Sequence, residues 1–101
     1  MFLNAEYFRE RQLAALADYP ETRWLVLNAS GMHHADTSTV DVLAAVKAAL
    51  DRRGIAFLIG GGHGDFRAIL DRSGLTELIG RTRMYTTARE AMLAAEAERD
   101  R

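Results

Sequence analysis

All three histidines of this 101-residue chain fall in two short stretches, Ser30–Thr37 (SGMHHADT) and Gly60–Gly64 (GGGHG). Four kinds of chemistry could use them. A metal site would draw on His33, His34, Asp36 and His63. Adjacent histidines diverge on any regular element, however, and no HExxH or comparable spacing is present, so loop histidines are the simpler account and no metal is expected. A phosphate or nucleotide could rest on Gly60–Gly64, because glycines let backbone N–H groups close on an anion and a helix start would follow. The run completes neither GxGxxG nor GxxxxGK followed by Ser or Thr, and the next residue is Asp65. A flexible loop explains it more simply, leaving a phosphate-binding hydrolase as the lesser alternative. Nucleophilic attack by Ser38 or Thr39 would need a neighbouring base, and no GxSxG elbow supplies one. Helix capping accounts for Asp36, Thr37 and Ser38. Phosphorylation of Ser38 is the fourth chemistry: unpaired N–H groups at a helix start favour the added negative charge.

Four helices and three strands would have to position those loops. Helical periodicity over Ala5–Ala17, with Asn4 as candidate N-cap, stops at Tyr19-Pro20, since the residue before proline is pushed out of the α region. Arg23–Ala29 (RWLVLNA) is a nearly continuous apolar run, the pattern of a strand covered on both faces. From Ser38 to Arg53, Val40, Leu43, Val46 and Leu50 recur three or four residues apart, and Gly54 stands where a left-handed residue closes a helix. Ile55–Ile59 (IAFLI) repeats the buried-strand pattern. Asp65–Ser73 reads as a helix with Phe66, Ile69 and Leu70 on its apolar stripe, closed by Gly74; Leu75–Ile79 adds a short turn. Met84-Tyr85 is a third, very short strand. Thr87-Ala-Arg-Glu90 has the capping-box form ahead of a last helix, with Ala88, Met92 and Ala95 inward and a charged tail fraying over Glu96–Arg101. Strands alternating with helices make this an α/β chain with parallel pairing. Loops leaving the carboxyl ends of parallel strands share one edge, where ligands usually meet such sheets. If the two strands they follow are neighbours, both histidine-bearing loops face the same side there.

Composition narrows the classes further. A length of 101 residues with one proline and no linker reads as a single domain, 1–101. Apolar residues at 49% and charged residues at 27% suit a packed core rather than disorder. Thirteen basic against fourteen acidic side chains, a formal charge of −1, exert no strong pull on nucleic acid or an anionic membrane. With no cysteine, disulfides, thiolate metal sites and cysteine nucleophiles drop out, and a reducing compartment fits. No apolar run approaches the roughly 20 residues that span a bilayer, so direct membrane insertion is not expected.

Several segments then line up in order: Asn4–Phe8 (NAEYF), Arg23–Ala29, Asp36–Thr39 (DTST), Arg53–Ile55, Leu70–Leu75 (LDRSGL), Ile79-Gly80 and Thr87–Ala91. Over about Phe2 to Ala95 this series resembles a STAS domain, the module shared by SulP-type anion transporters and bacterial anti-sigma factor antagonists. NAEYF is similar to the NAE-x-F segment that enters the first helix of bacterial SulP transporters. DTST resembles the family signature of Asp and two hydroxyl residues before the second helix. Three departures stand out. Only Met1–Leu3 remain where the family has one or two opening strands, Thr39 replaces a customary Gly or Ala, and Gly60–Gly64 replaces a loop that commonly carries Asn-Pro.

The resemblance implies one mostly parallel sheet flanked by helices, with the usual N-terminal strand or strands largely missing. NAEYF implies the transporter branch: a non-catalytic cytoplasmic regulatory domain, tethered to the inner membrane as part of a sulfate or other anion transporter. Its partner would be the transporter's own membrane domain. Docking would use the loops at 30–38 and 60–65 and the second helix, with Asp36, Thr37, Ser38, Thr39, Gly62 and His63 in contact. In the antagonist branch the implied partner is an anti-sigma kinase that phosphorylates Ser38 and binds the unmodified form. A sheet edge left bare by the short first strand would invite a homodimer.

Overall fold

The strands of this chain hold apolar residues on both faces, and the computed structural model, which describes residues 2–4, 22–32 and 37–99, places a core on each side of them. In chain order the elements are β1 (Phe2–Asn4), β2 (Trp24–Asn28), α1 (Thr37–Arg52), β3 (Ala56–Gly60), α2 (Asp65–Arg72) and α3 (Leu75–Ile79). A 3-10 turn (Arg81–Arg83), β4 (Met84–Tyr85) and α4 (Ala88–Arg99) complete them. The sheet runs β1-β2-β3-β4, each pair parallel. Register is set by Phe2 opposite Val26, Trp24 opposite Ala56 and Ile59 opposite Met84.

Alternation along β2 and β3 assigns each residue to a core. Leu25, Leu27, Phe57 and Ile59 face α1, α2 and α3, meeting Leu43, Val46, Leu50, Phe66, Leu70 and Leu75. Val26 and Leu58 face the other way, onto Ala91 and Ala95 of α4, with Trp24, Tyr85 and Met92 packed around them. Small residues on α4 let that helix lie close to the sheet. The stripe expected on the second helix is the buried one: Leu43, Val46 and Leu50 are nearly inaccessible, and Val40 is half-buried.

The helix ends follow local chemistry. Gly54 takes φ 68°, its N–H reaches the Asp51 carbonyl at 3.1 Å, and the Ile55 N–H reaches the Leu50 carbonyl at 2.9 Å. That is a Schellman closure, with Leu50 and Ile55 joined in the same core. Thr87 Oγ1 accepts from the Glu90 N–H at 3.1 Å, as the capping box requires. Buried Thr76 donates to Asp71 Oδ1 at 2.7 Å and ties α3 to the end of α2.

Two boundaries differ from the sequence reading. Asn4, read as a helix cap, ends β1 instead and pairs with Asn28; the helix over Ala5–Ala17 and its stop at Tyr19-Pro20 lie outside the described residues. A three-residue strand carries too little periodicity to be legible. The last helix also continues to Arg99 rather than fraying from Glu96. Glu98 gives a reason, since both its oxygens take Arg83 Nη1 at 2.9 Å and hold that stretch against the 3-10 turn.

Candidate functional site

Three parallel strands end side by side at Asn28, Gly60 and Tyr85, and backbone hydrogen bonds stitch the loops that leave them. The Ala29 N–H donates to the Gly60 carbonyl at 2.8 Å, and the Gly61 N–H to Tyr85 at 3.1 Å. The His63 N–H donates to the Met32 carbonyl at 3.1 Å, so the two histidine-bearing loops touch. Asn28 shapes the first of them: its Oδ1 accepts from the Ser30 N–H at 3.0 Å and from Ser30 Oγ at 2.5 Å.

The glycine run is packed rather than slack. A Cβ on Gly60 would lie 2.5 Å from Ala88 Cα, one on Gly61 2.9 Å from the Ser30 nitrogen, and one on Gly62 2.5 Å from the Phe66 ring. Gly61 and Gly62 also hold φ near +90°, a region L side chains rarely enter. These glycines bring the β3 loop against its neighbours. Two of its N–H groups, on Gly61 and His63, are already engaged by carbonyls, which removes them from any phosphate cradle. Beside it, Arg67 of α2 donates through Nη2 to the Tyr85 carbonyl. Burial pushes the Arg67 pKa down and nearby Asp71 opposes that shift.

Next to the stitched loops, the first turns of α1 leave a hollow of about 190 Å³. Leu27 forms its floor with Leu43 and Phe66, Met32 and Val42 flank it, and Ser38 and Thr39 complete the lining. Ser38 is exposed and Thr39 half-buried, while Val42 remains 44% exposed despite its apolar side chain.

The residues singled out from sequence distribute over this face as follows. Thr37 begins α1, Ser38 and Thr39 line the hollow, Gly62 packs on Phe66, and His63 is exposed on the adjoining loop. Asp36, His33 and His34 lie outside the described residues. Among the described residues no three His, Cys, Asp or Glu side chains gather as metal ligands would. Sequence reasoning missed Met32, Val42 and Phe66 as lining residues. Val42 was accessible to it, because it lies four residues from Ser38 and therefore on the same helical face.

Comparison with known proteins agrees with this geometry. The family model of the STAS domain matches residues 1–91. Two probable sulfate transporters of Mycobacterium tuberculosis, Rv1739c of strain H37Rv and MT1781 of strain CDC 1551, are each 34% identical over 94 residues. Those matches cover 92% of this chain and 17% of each relative, so the chain spans about a sixth of their length. The solved STAS domain of a SulP transporter from Vibrio cholerae shares the fold at a TM-score of 0.74 and 22% identity, covering 86% of this chain and 74% of that one. Among the described residues no helix is long and apolar enough to cross a membrane.

Proposed function

We propose that this chain, which belongs to the STAS domain family, is the regulatory binding module of a SulP-type sulfate or anion transporter and performs no reaction itself. The observation that carries this reading is the likeness to probable sulfate transporters along 92% of the chain. The joined loops at 30–38 and 60–65, with the start of α1, supply a docking face for the transporter's membrane domain on the cytoplasmic side. Asp36, Thr37, Ser38, Thr39, Gly62 and His63 are the proposed contacts. The test is sulfate uptake by cells expressing the transporter polypeptide that carries this chain, together with solvent protection of the face. Val42→Arg changes an exposed position and should lower uptake and deprotect the loops without unfolding the domain. Unchanged uptake and unchanged protection would reject the reading.

A second reading, an anti-sigma factor antagonist switched at Ser38, is favoured by one specific feature. Ser38 is exposed in the first turn of a sixteen-residue helix, where a kinase can reach it and the helix end favours phosphate. Its test is whether a cognate kinase binds the unmodified chain and transfers phosphate to Ser38.

A further inference from the structure

This chain has no cysteine, so its four methionines hold all of its sulfur. Met1 lies outside the described residues, and the other three are half-buried. Their surroundings differ. Met84 packs on the main core from within β4, Met92 of α4 packs against the core on the other side of the sheet, and neither lines a described cavity. Met32 stands in the wall of the open hollow beside α1. That hollow measures about 190 Å³. It has room for a peroxide molecule, which is little larger than a water with its share of about 30 Å³.

Met32 also sits where three parts of the site meet. Its side chain packs on the main core, beside the floor residues Leu27 and Phe66. Ser38 and Thr39 bring hydroxyls to the same lining. Its main chain is engaged at both ends: the N–H donates to the Ala29 carbonyl at 2.9 Å, and the carbonyl accepts from the His63 N–H at 3.1 Å. The second of these bonds joins the two histidine-bearing loops. A sulfoxide oxygen on this side chain is a strong acceptor set on an apolar wall, where a polar group without a partner is costly. The unbranched side chain can turn that oxygen towards the Ser38 and Thr39 side of the hollow, away from Leu27 and Phe66.

We infer that Met32 is a site of reversible oxidation by hydrogen peroxide, and that its sulfoxide makes the hollow polar and shifts the junction of the two loops. In the reaction the thioether sulfur attacks one peroxide oxygen. An S–O bond forms, the O–O bond breaks, and the proton on the transferred oxygen passes to the departing hydroxide, which leaves as water. Sulfur loses two electrons and the peroxide gains them. The inference goes beyond the docking reading and does not depend on it.

The experiment treats the isotope-labelled chain with dilute hydrogen peroxide, following each methionine by peptide mass and the backbone by amide shifts. Met32 should gain one oxygen ahead of Met84 and Met92. The amides of Ser38, Thr39, His63 and Phe66 should shift as it does so, while those of Val26, Leu58 and Ala95 in the other core stay in place. Two methionine sulfoxide reductases, one for each sulfoxide epimer, should restore both mass and shifts. Met32→Leu conserves volume and should hold the four amides still in peroxide. Met32→Gln places an amide oxygen in the wall and should move them in the same direction without peroxide. Earlier oxidation of Met84 or Met92, oxidation of Met32 with the four amides unmoved, or shifts that persist in Met32→Leu overturns the proposal. So does collapse of the whole spectrum on oxidation, which would make Met32 a core support and not a switch. Uptake and protection by the membrane domain are measured without peroxide, so these outcomes leave the docking reading to its own test.

Discussion

Gly60→Ala tests whether the glycine run serves packing or a ligand. A Cβ there would stand 2.5 Å from Ala88 Cα and from the Thr87 carbonyl oxygen, and 2.8 Å from the Ala88 nitrogen. All three are main-chain atoms, so no side chain can swing aside. The first turn of α4 must retreat by about 1 Å to restore ordinary contact near 3.5 Å, and a gap of that size forfeits a quarter to a half of each dispersion well. The contacts at stake keep Val26, Leu58, Ala91 and Ala95 at 0% exposure. Overpacking combined with that opening should destabilise the chain by about 2–4 kcal/mol. Gly54→Ala is the control: it has φ 68° and nothing within 4 Å of the added Cβ. Only the left-handed penalty applies there, about 1–2 kcal/mol. Urea unfolding followed by Trp24 fluorescence suits the comparison, since this is the only tryptophan and it packs in the core beneath α4. If Gly60→Ala costs no more than Gly54→Ala, the close approach of β3 to α4 is not what fixes glycine here, and a ligand role regains its standing.

Three further outcomes are expected. Leu50→Ala removes a side chain at 0% exposure that also completes the α1 closure, and should cost about 3–4 kcal/mol; a loss below about 1 kcal/mol in urea unfolding would show the helix face to be misassigned. Ser38→Asp adds an acid to the first turn of α1, so stability should move by less than about 1 kcal/mol, while in the antagonist reading affinity for the kinase drops and that of Ser38→Ala does not. Equal kinase binding by both variants, measured by calorimetry, rejects the switch. The Arg83–Glu98 pair is 32% and 46% exposed, and a double-mutant cycle should give a coupling of only about 0.2–1 kcal/mol that shrinks with salt. A salt-independent coupling above about 2 kcal/mol would mean the pair works as a buried one.

How legible this chain was depends on how many residues each signal occupies. α1 was readable because its stripe, Val40 to Leu50, repeats over about three turns and a glycine closes it. β2 and β3 were readable as buried strands because apolar residues fill both faces, although which residue faces which helix required the structure. β1 was not, because three residues carry no period. The hollow was only half legible. Ser38 and Thr39 drew attention through their hydroxyls, but Phe66 and Leu27 looked like ordinary core, and they are core as well as floor. The glycine run was read as slack because sequence shows the absence of side chains and not what presses into the space they vacate. Here Ser30, Phe66 and Ala88 do.

That double role of the floor determines which substitutions can report on function. Leu27, Leu43 and Phe66 belong both to the hollow and to the core that joins the sheet to α1 and α2. Truncating any of them opens a cavity worth about 2–5 kcal/mol, a large part of a margin of about 5–15 kcal/mol. A floor variant that loses its partner therefore reports on folding as much as on recognition. Ser38 and Val42 are different, because both are exposed and lie on the first two turns of one helix. Changes there alter the mouth of the hollow while the buried stripe of Leu43, Val46 and Leu50 still holds α1 to the sheet. Variants at these two positions should thus separate binding from stability. If Val42→Arg unfolds the domain as readily as Leu50→Ala, the mouth is bound into the core, and the hollow cannot vary with its partner independently of the fold.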